Sequence, residues 1–307
     1  MKRLKINNTY KFNLKGLPKS SIDSISESDT FIVNPNRLKD NKFKLLIKEN
    51  DRVSIGSELV VDKKQPHLKI LSPVGGVVKE IVFGHRRSIE RIIIKKDDKE
   101  TVKTLFDPVT HQTLDDMDTP SIVERLINGG VWTSIIKYPF EFPPLQQDIP
   151  PAIYVSVDYD EPFMPDSSVF LNEYFDDFIF GLNILNKITD KVFVGVSENN
   201  AFLKTKLKSV ATHILEGDYP ANNPGVFLYY NKKKQDDNSS WGVRSLDVIR
   251  FGQLFKTGTY PIQKLITLAG PLVKSPRYLK IREGVSLDFL SKETLNSEPY
   301  RIICGGL

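Results

Sequence analysis

Between Lys44 and Asp98 the chain reads KLLIKENDRVSIGSELVVDKKQPHLKILSPVGGVVKEIVFGHRRSIERIIIKKDD, a series of short β-rich runs cut at close intervals by turn residues. Leu45–Ile47, Glu58–Val61, Leu68–Leu71, Gly76–Val82 and Arg91–Lys95 carry the branched apolar side chains that suit a pleated surface. Between them stand Asn50-Asp51, Gly56, Gln65-Pro66, Pro73 with Gly75-Gly76, and Gly84. Asn, Asp and Gly supply the positive φ angles that tight turns need. Strands this short, at this spacing, bury an apolar face by closing into a small sandwich or barrel.

The sequence on either side follows other rules. Residues 1–40 are rich in Lys, Ser and Asn, with isolated apolar groups such as Phe31-Ile32-Val33, and read as an irregular N-terminal arm. Downstream, Thr119 as N-cap, Pro120 at the first helical position and Gly129-Gly130 at the end delimit a helix. Its buried stripe is Ile122, Val123, Leu126 and Ile127. After the Pro-rich YPFEFPPLQQDIPP, strand and helix signals alternate. IYVSV (153–157), VFVGV (192–196) and ATHIL (211–215) read as strands, with VFLYY (226–230) a candidate fourth. Residues 167–188 read as one long amphipathic helix, 199–208 as a second and Leu246–Phe255 as a closing one. This alternation predicts a parallel, doubly wound sheet. The charged run Lys232–Asp237 is an exposed tip or loop, and Leu265–Leu307 returns to short β-like runs with a helix at Ser286–Leu290. The ending on RIICGGL is what a truncated last domain would leave.

Several function classes are disfavoured by what the sequence lacks. No window approaches the roughly 18 apolar residues of a membrane helix, and MKRLKINNTYKFN has no apolar core of a secretory signal. A cytoplasmic protein is therefore expected. The single cysteine, Cys304, rules out an internal disulfide and a cysteine metal cage. The formal charge of +5 comes from 43 basic and 38 acidic residues interleaved along the chain, so no concentrated field suggests nucleic acid. Neither G-x-G-x-x-G nor G-x-x-x-x-G-K-[ST] occurs to cradle a phosphate. The first strand–helix junction, VSVDYDEPFMPDSS, instead carries Asp158, Asp160 and Glu161, which would repel a pyrophosphate; the second, VGVSENN, has one glycine, Gly195. His67, His85, His111 and His213 are isolated, and Ser197 has no base beside it, so neither a metal site nor a nucleophile elbow is expected.

Three places carry candidate contacts. Gly84-His85-Arg86-Arg87 puts three potentially cationic side chains, His85, Arg86 and Arg87, on one turn that could face an acidic partner, although an exposed hairpin tip explains it equally well. Trp132, Tyr138, Phe140 and Phe142 could line a pocket for a quinone-like ring or pack on a partner; a buried inter-domain linker is the plainer reading. Lys63 and Lys64 sit where a swinging-arm carrier presents its lysine, but without the flanking Met or small residues, which favours a scaffold.

The spacing in KENDRVSIGSELV…ILSPVGGVVKEI resembles the biotinyl/lipoyl-type barrel-sandwich hybrid. Together with GGVWTSIIKYPF, GDYPANNPG, WGVRSLDVIRFGQLFKTGTY and ITLAGPLVKSPRYLKIREG, in this order over residues 45–305, it resembles the A-subunit family of the Na+-pumping NADH:quinone oxidoreductase (Na+-NQR). The resemblance implies an α/β multidomain chain. Its parts would be an N-terminal arm (1–40), a barrel-sandwich hybrid β domain (41–100), a Rossmann-like doubly wound α/β domain (101–258) and a small β-grasp domain of the soluble-ligand-binding (SLBB) type (259–307). It further implies a peripheral protein on the cytoplasmic side of the bacterial inner membrane, near the quinone-reducing end. The partners would be the membrane and flavin subunits, B to F, of a six-subunit complex, with ubiquinone as a candidate contact. NADH, flavins, iron–sulfur and ubiquinone would be the cofactors of the complex, none bound by this chain. No catalytic, cofactor-binding or metal-ligating residue carries over, and catalysis by the chain alone is not expected. The alternative is a free-standing NADH- or FMN-binding oxidoreductase related to the Rnf-complex C subunit, whose glycine-rich loops and iron–sulfur cysteines are missing here.

Overall fold

The computed structural model describes residues 1–25, 28–35, 42–291 and 301–305. The expected border between arm and barrel near residue 40 lies outside them, as does much of the end of the chain.

The N-terminal segment corrects its sequence reading. It is not an irregular arm but a thread that adds one edge strand to each of three sheets. β1 (Lys2–Lys5) pairs parallel with a strand of the large α/β sheet, Lys2 opposite His213. β2 (Ile22–Ser24) pairs with the C-terminal sheet, Ile22 opposite Tyr278, and β3 (Thr30–Val33) with the barrel, Phe31 opposite Ile94. No local period could announce this, because each strand is completed by residues far away in sequence.

The barrel-sandwich hybrid follows. β4 (Phe43–Leu45), β6 (Glu58–Asp62) and β7 (Lys69–Leu71) form one sheet; β3, β9 (Ile89–Lys96), β8 (Gly76–Phe83) and β5 (Arg52–Val53) form the other. Two-residue alternation fills its core: Ile89, Ile92 and Ile94 of β9 point inward onto Phe31, Leu59, Val60 and Val78 while Arg91 and Lys95 point out. The tip bearing Lys63 and Lys64 is tied down. The buried Asp62 carboxylate accepts the Lys64 and Gln65 amides at 2.7 and 2.6 Å, and Leu68 is buried in the core of the next domain.

That domain opens with α1 (His111–Asp115) and α2 (Thr119–Asn128), whose N-cap is Asp118 rather than Thr119; its carboxylate accepts the Ser121 amide at 3.0 Å. β10 (Ile136–Lys137), β11 (Ile153–Ser156), α3 (Ser167–Glu173), α4 (Phe175–Asn186), β12 (Val192–Ser197), α5 (Ala201–Lys206), β13 (His213–Glu216), α6 (Pro224–Asn231), β14 (Trp241–Arg244) and α7 (Ser245–Thr257) complete it. The sheet order is β1-β13-β12-β11-β14-β10, parallel except for β10. β11 is buried on both faces: Ile153 and Val155 join the core under α4 and α7, and Tyr154 the opposite core under α6. Two expectations give way here. The single helix over 167–188 breaks at Tyr174 (φ −107°, ψ 26°), and Asp176 and Asp177 favour a fresh helix start. VFLYY is not a strand but the body of α6. Asn223 caps it and Pro224 occupies its first turn, so local capping outweighs the β-preference of Val, Phe and Tyr. The fourth parallel strand is β14.

α4 and α7 touch backbone to backbone. A Cβ on Gly181 would lie 2.0 Å from the Val248 carbonyl oxygen, and one on Gly252 2.0 Å from that of Asp177. On a free helix, Gly→Ala stabilises by roughly 0.5–1 kcal/mol. Here the sign reverses, because main chain cannot move aside: Gly252→Ala is expected to cost about 1–3 kcal/mol through overpacking. A lowered urea midpoint at unchanged slope checks it.

The C-terminal sheet is β15 (Gln263–Leu268), β16 (Arg277–Arg282) and β2, followed by α8 (Leu287–Ser291).

Candidate functional site

The chain runs β11, β12, β13 in one direction across the sheet and then returns to the other side of β11 for β14, so strand order reverses between β11 and β14. Ligands of open α/β sheets bind at such a reversal, beyond the carboxyl ends of the strands, on the amides of helix N-termini. A crevice of about 690 Å³ lies beside it, over the loops that follow β11, β12 and β13, partly roofed by N-terminal residues: the Tyr10 amide donates to the Tyr219 carbonyl at 2.7 Å, and Phe12 packs on Tyr219.

Three consecutive side chains of the loop after β11 reach across this end of the sheet. The Asp158 carboxylate accepts the Ser197 amide at the end of β12 (2.8 Å), the Ser167 hydroxyl (2.6 Å) and the Asn200 side-chain amide (2.9 Å). The Tyr159 hydroxyl accepts the Leu246 amide in the first turn of α7, after β14 (3.0 Å). The Asp160 carboxylate accepts both the Asn222 amide, in the loop after β13, and its side-chain NH₂, each at 2.6 Å. The other helix starts are also capped from within: Asp166 on α3, Asn200 on α5 and Asn223 on α6. Glu161 pairs with Arg244, whose guanidinium lies 5.4 Å from the Tyr159 ring, directly over the reversal.

Electrostatics point the same way. Among the described residues, Asp158, Asp160, Glu161, Asp166 and Asp218 line the crevice against one cation, Lys11. Burial pushes the Asp158 and Asp160 carboxyls above the usual range, despite the hydrogen bonds that oppose it. Burial likewise works against the Arg244 charge, but Glu161, with Tyr159 and Asp247, more than offsets it, and the guanidinium is held above its ordinary value. The arrangement holds itself together, and three of its donors are main-chain amides of the kind that grip phosphate in nucleotide-binding sheets of this topology.

The candidates named from sequence are dispersed. Trp132 is buried edge-on to Trp241, with ring centroids 5.5 Å apart, and donates its indole N–H to the Pro144 carbonyl at 2.7 Å. Tyr138 is buried in the opposite core, filling the space that a Cβ on Gly225 or Gly242 would need. Phe140 and Phe142 point to solvent. The four therefore do not converge on one pocket, because alternate residues of this edge segment serve different layers. His85, Arg86 and Arg87 form an exposed turn between β8 and β9, with Arg86 and Arg87 at φ 55° and 58°. Among the described residues no group of three His, Cys, Asp or Glu could hold a metal ion. Sequence reasoning noted Asp158, Asp160 and Glu161 but missed their partners Ser197, Asn200, Asn222 and Arg244. The Asn residues in SENN and ANNPG were the available signal.

Three successive segments match profiles of one family: the NqrA N-terminal barrel-sandwich hybrid domain over residues 4–97, the NqrA second alpha/beta domain over 117–260 and the NQRA C-terminal domain over 265–307. The chain belongs to the NqrA family. Similar curated proteins are the A subunits of the Na(+)-translocating NADH-quinone reductases of two bacteria. That of Aliivibrio salmonicida (strain LFI1238) is 32% identical over 84% of this chain and 57% of that protein. That of Marinomonas sp. (strain MWYL1) is 28% identical over 96% and 65%. The chain thus spans about three fifths of the length of these relatives. A solved chain of NAD+-reducing [NiFe]-hydrogenase in the air-oxidized state overlaps 62% of this chain and 44% of its own at 13% identity and a TM-score of 0.42, too distant to bear on fold or site. Barrel-sandwich hybrid, α/β domain and SLBB-type domain follow one another as in the NqrA family.

Proposed function

We propose that this chain is a docking component of a membrane complex that passes electrons from NADH to ubiquinone coupled to Na+ export, and that it contributes architecture rather than a redox centre. The partners would be the membrane and flavin subunits of that complex, B to F, and the site of action the cytoplasmic face of the inner membrane. The names of the relatives motivate the complex. Among the described residues no helix is long and apolar enough to cross a membrane, in keeping with a peripheral position.

One observation carries the architectural role. The amides of Ser197, Asn222 and Leu246, which a dinucleotide phosphate would need, already donate to Asp158, Asp160 and Tyr159. Displacing them would strip the main-chain donors from two buried carboxylates, leaving only side-chain donors, and set them beside an incoming anion, an arrangement costly on both counts. Calorimetry of the purified chain with NADH, NAD and FMN is expected to give no binding heat. Tight, stoichiometric binding of any of the three would overturn this reading in favour of a free-standing oxidoreductase.

A further inference from the structure

The segment from Tyr138 to Pro151 has an inverted polarity that the crevice and its caps leave unused. Its large apolar side chains face outward: Phe140 is 78% exposed, Phe142 54%, Leu145 36% and Ile149 86%. Single exposed apolar residues are ordinary, but four fall within ten positions here. Glu141, Gln146 and Gln147 stay exposed, while several main-chain groups and Asp148 are paired close by. The Lys137 amide donates to the Phe142 carbonyl (2.8 Å), the Glu141 amide to the Lys137 carbonyl (3.0 Å) and the Tyr138 amide to the Ser240 carbonyl (3.1 Å). The Leu145 amide and the Lys137 ammonium both reach Asp148, each at 2.8 Å. Pro139, Pro143, Pro144, Pro150 and Pro151 have no N–H to satisfy. The Trp132 indole bond to Pro144 and the buried Tyr138 ring pin the segment from behind. A loop so pinned loses little freedom on binding.

We propose that this loop docks into an apolar groove of a partner protein that carries a basic side chain. Glu141 decides the occupant. It is exposed between Phe140 and Phe142, at φ 60°, and makes no ion pair among the described residues. An anionic lipid surface would repel that carboxylate, and a hydrocarbon layer would have to desolvate it. An Arg or Lys set between pockets for two phenyl rings satisfies both features at once. The partner chemistry stands on the loop alone; that the partner belongs to the quinone reductase complex rests on the proposed function.

The test uses the full chain carrying the photocrosslinker p-benzoylphenylalanine at position 140 or 142, irradiated in its own host cells. One protein adduct common to both positions is expected, with none from position 202 on the crevice rim. Glu141→Lys should lower the adduct about tenfold, and reversing the charge of a basic residue in the crosslinked peptide should restore it. With the crosslinker at 142, Phe140→Ser with Ile149→Ser should abolish the adduct while leaving thermal unfolding unchanged, since both side chains are exposed. Adducts only to lipid, only to a second copy of this chain, or none at all would overturn the proposal. An adduct to a protein outside the quinone reductase would keep the docking site and overturn the proposed function. Co-purification with that complex without a loop adduct would do the reverse.

Discussion

Asp158→Ala is expected to destabilise the chain by roughly 2–4 kcal/mol, because it orphans the Ser197 amide, the Asn200 NH₂ and the Ser167 hydroxyl in a buried place. Urea denaturation at neutral pH measures it. The pH dependence separates this from simple cavity formation. Burial raises the folded-state pKa of Asp158 above its unfolded value, so between the two the folded state binds more protons. Stability from this group is therefore greatest below the ordinary carboxylate range and declines as pH rises through the raised folded value. Asp158→Asn keeps one acceptor and removes the titration. The wild type should therefore lose ground to the Asn variant as pH rises above about 4, where unburied carboxyls ionise. A difference independent of pH would mean that the carboxylate is not held as described.

The barrel was legible in the sequence because its determinants are local. Glycine and asparagine turns and a two-residue alternation, as in Ile92 and Ile94 against Arg91 and Lys95, act within a few residues of each other. The helix starting at Thr119 was legible for the same reason, to within one residue. The N-terminal thread was not: the partners of β1 and β2 lie more than two hundred residues downstream, and a three- or four-residue edge strand has no period of its own. VFLYY failed because its composition suits either state; the cap that decides it, Asn223-Pro224, lies outside the run. In the crevice the acidic triplet could be read as a repellent for phosphate, but its second role could not. Which amide each carboxylate meets depends on strand order, and the reversal beside β11 is a fact of topology rather than of any short motif. Phe140 and Phe142 could not be told from Trp132 and Tyr138 in the sequence. Aromatic content is visible in sequence, whereas the side of an edge segment on which each ring falls is set by Gly225 and Gly242 leaving room for Tyr138.

The junction of the three domains gives the second large effect. Residues 282–284 touch all of them. Arg282 binds Glu100 just beyond the barrel's last strand through two contacts of 2.6 and 2.8 Å, and the Gly284 carbonyl accepts the Ile32 amide of β3 at 2.7 Å. Glu283, between them, accepts from Tyr260 and Lys264, each at 2.8 Å, and from Arg250 of α7 at 3.3 Å. Burial alone would push the Glu283 carboxyl up, but Lys264 and Arg250 outweigh it and hold it below the usual range. Glu283→Ala leaves the Arg250 guanidinium, only 12% exposed, without its nearest carboxylate. Breaking a buried pair from one side costs about 3–5 kcal/mol, more than the pair contributes, because the remaining charge stays desolvated. Urea denaturation reads this loss directly. Faster proteolytic cleavage near residues 258–262, where the α/β domain hands over to β15, would accompany it if the junction holds the domains in register. Here the pH sign is opposite to that of Asp158. A depressed folded pKa stabilises above the ordinary carboxylate range, and that stability is lost as pH falls through the folded value. On acidification, Glu283→Gln should therefore gain on the wild type, whereas Asp158→Asn should lose to it. The crevice carboxylate is held against its charge and the junction carboxylate because of it, so the two differences must slope in opposite directions over one pH series. Slopes of the same sign would refute one of the two assignments, and the variant that departs from its expected direction would show which.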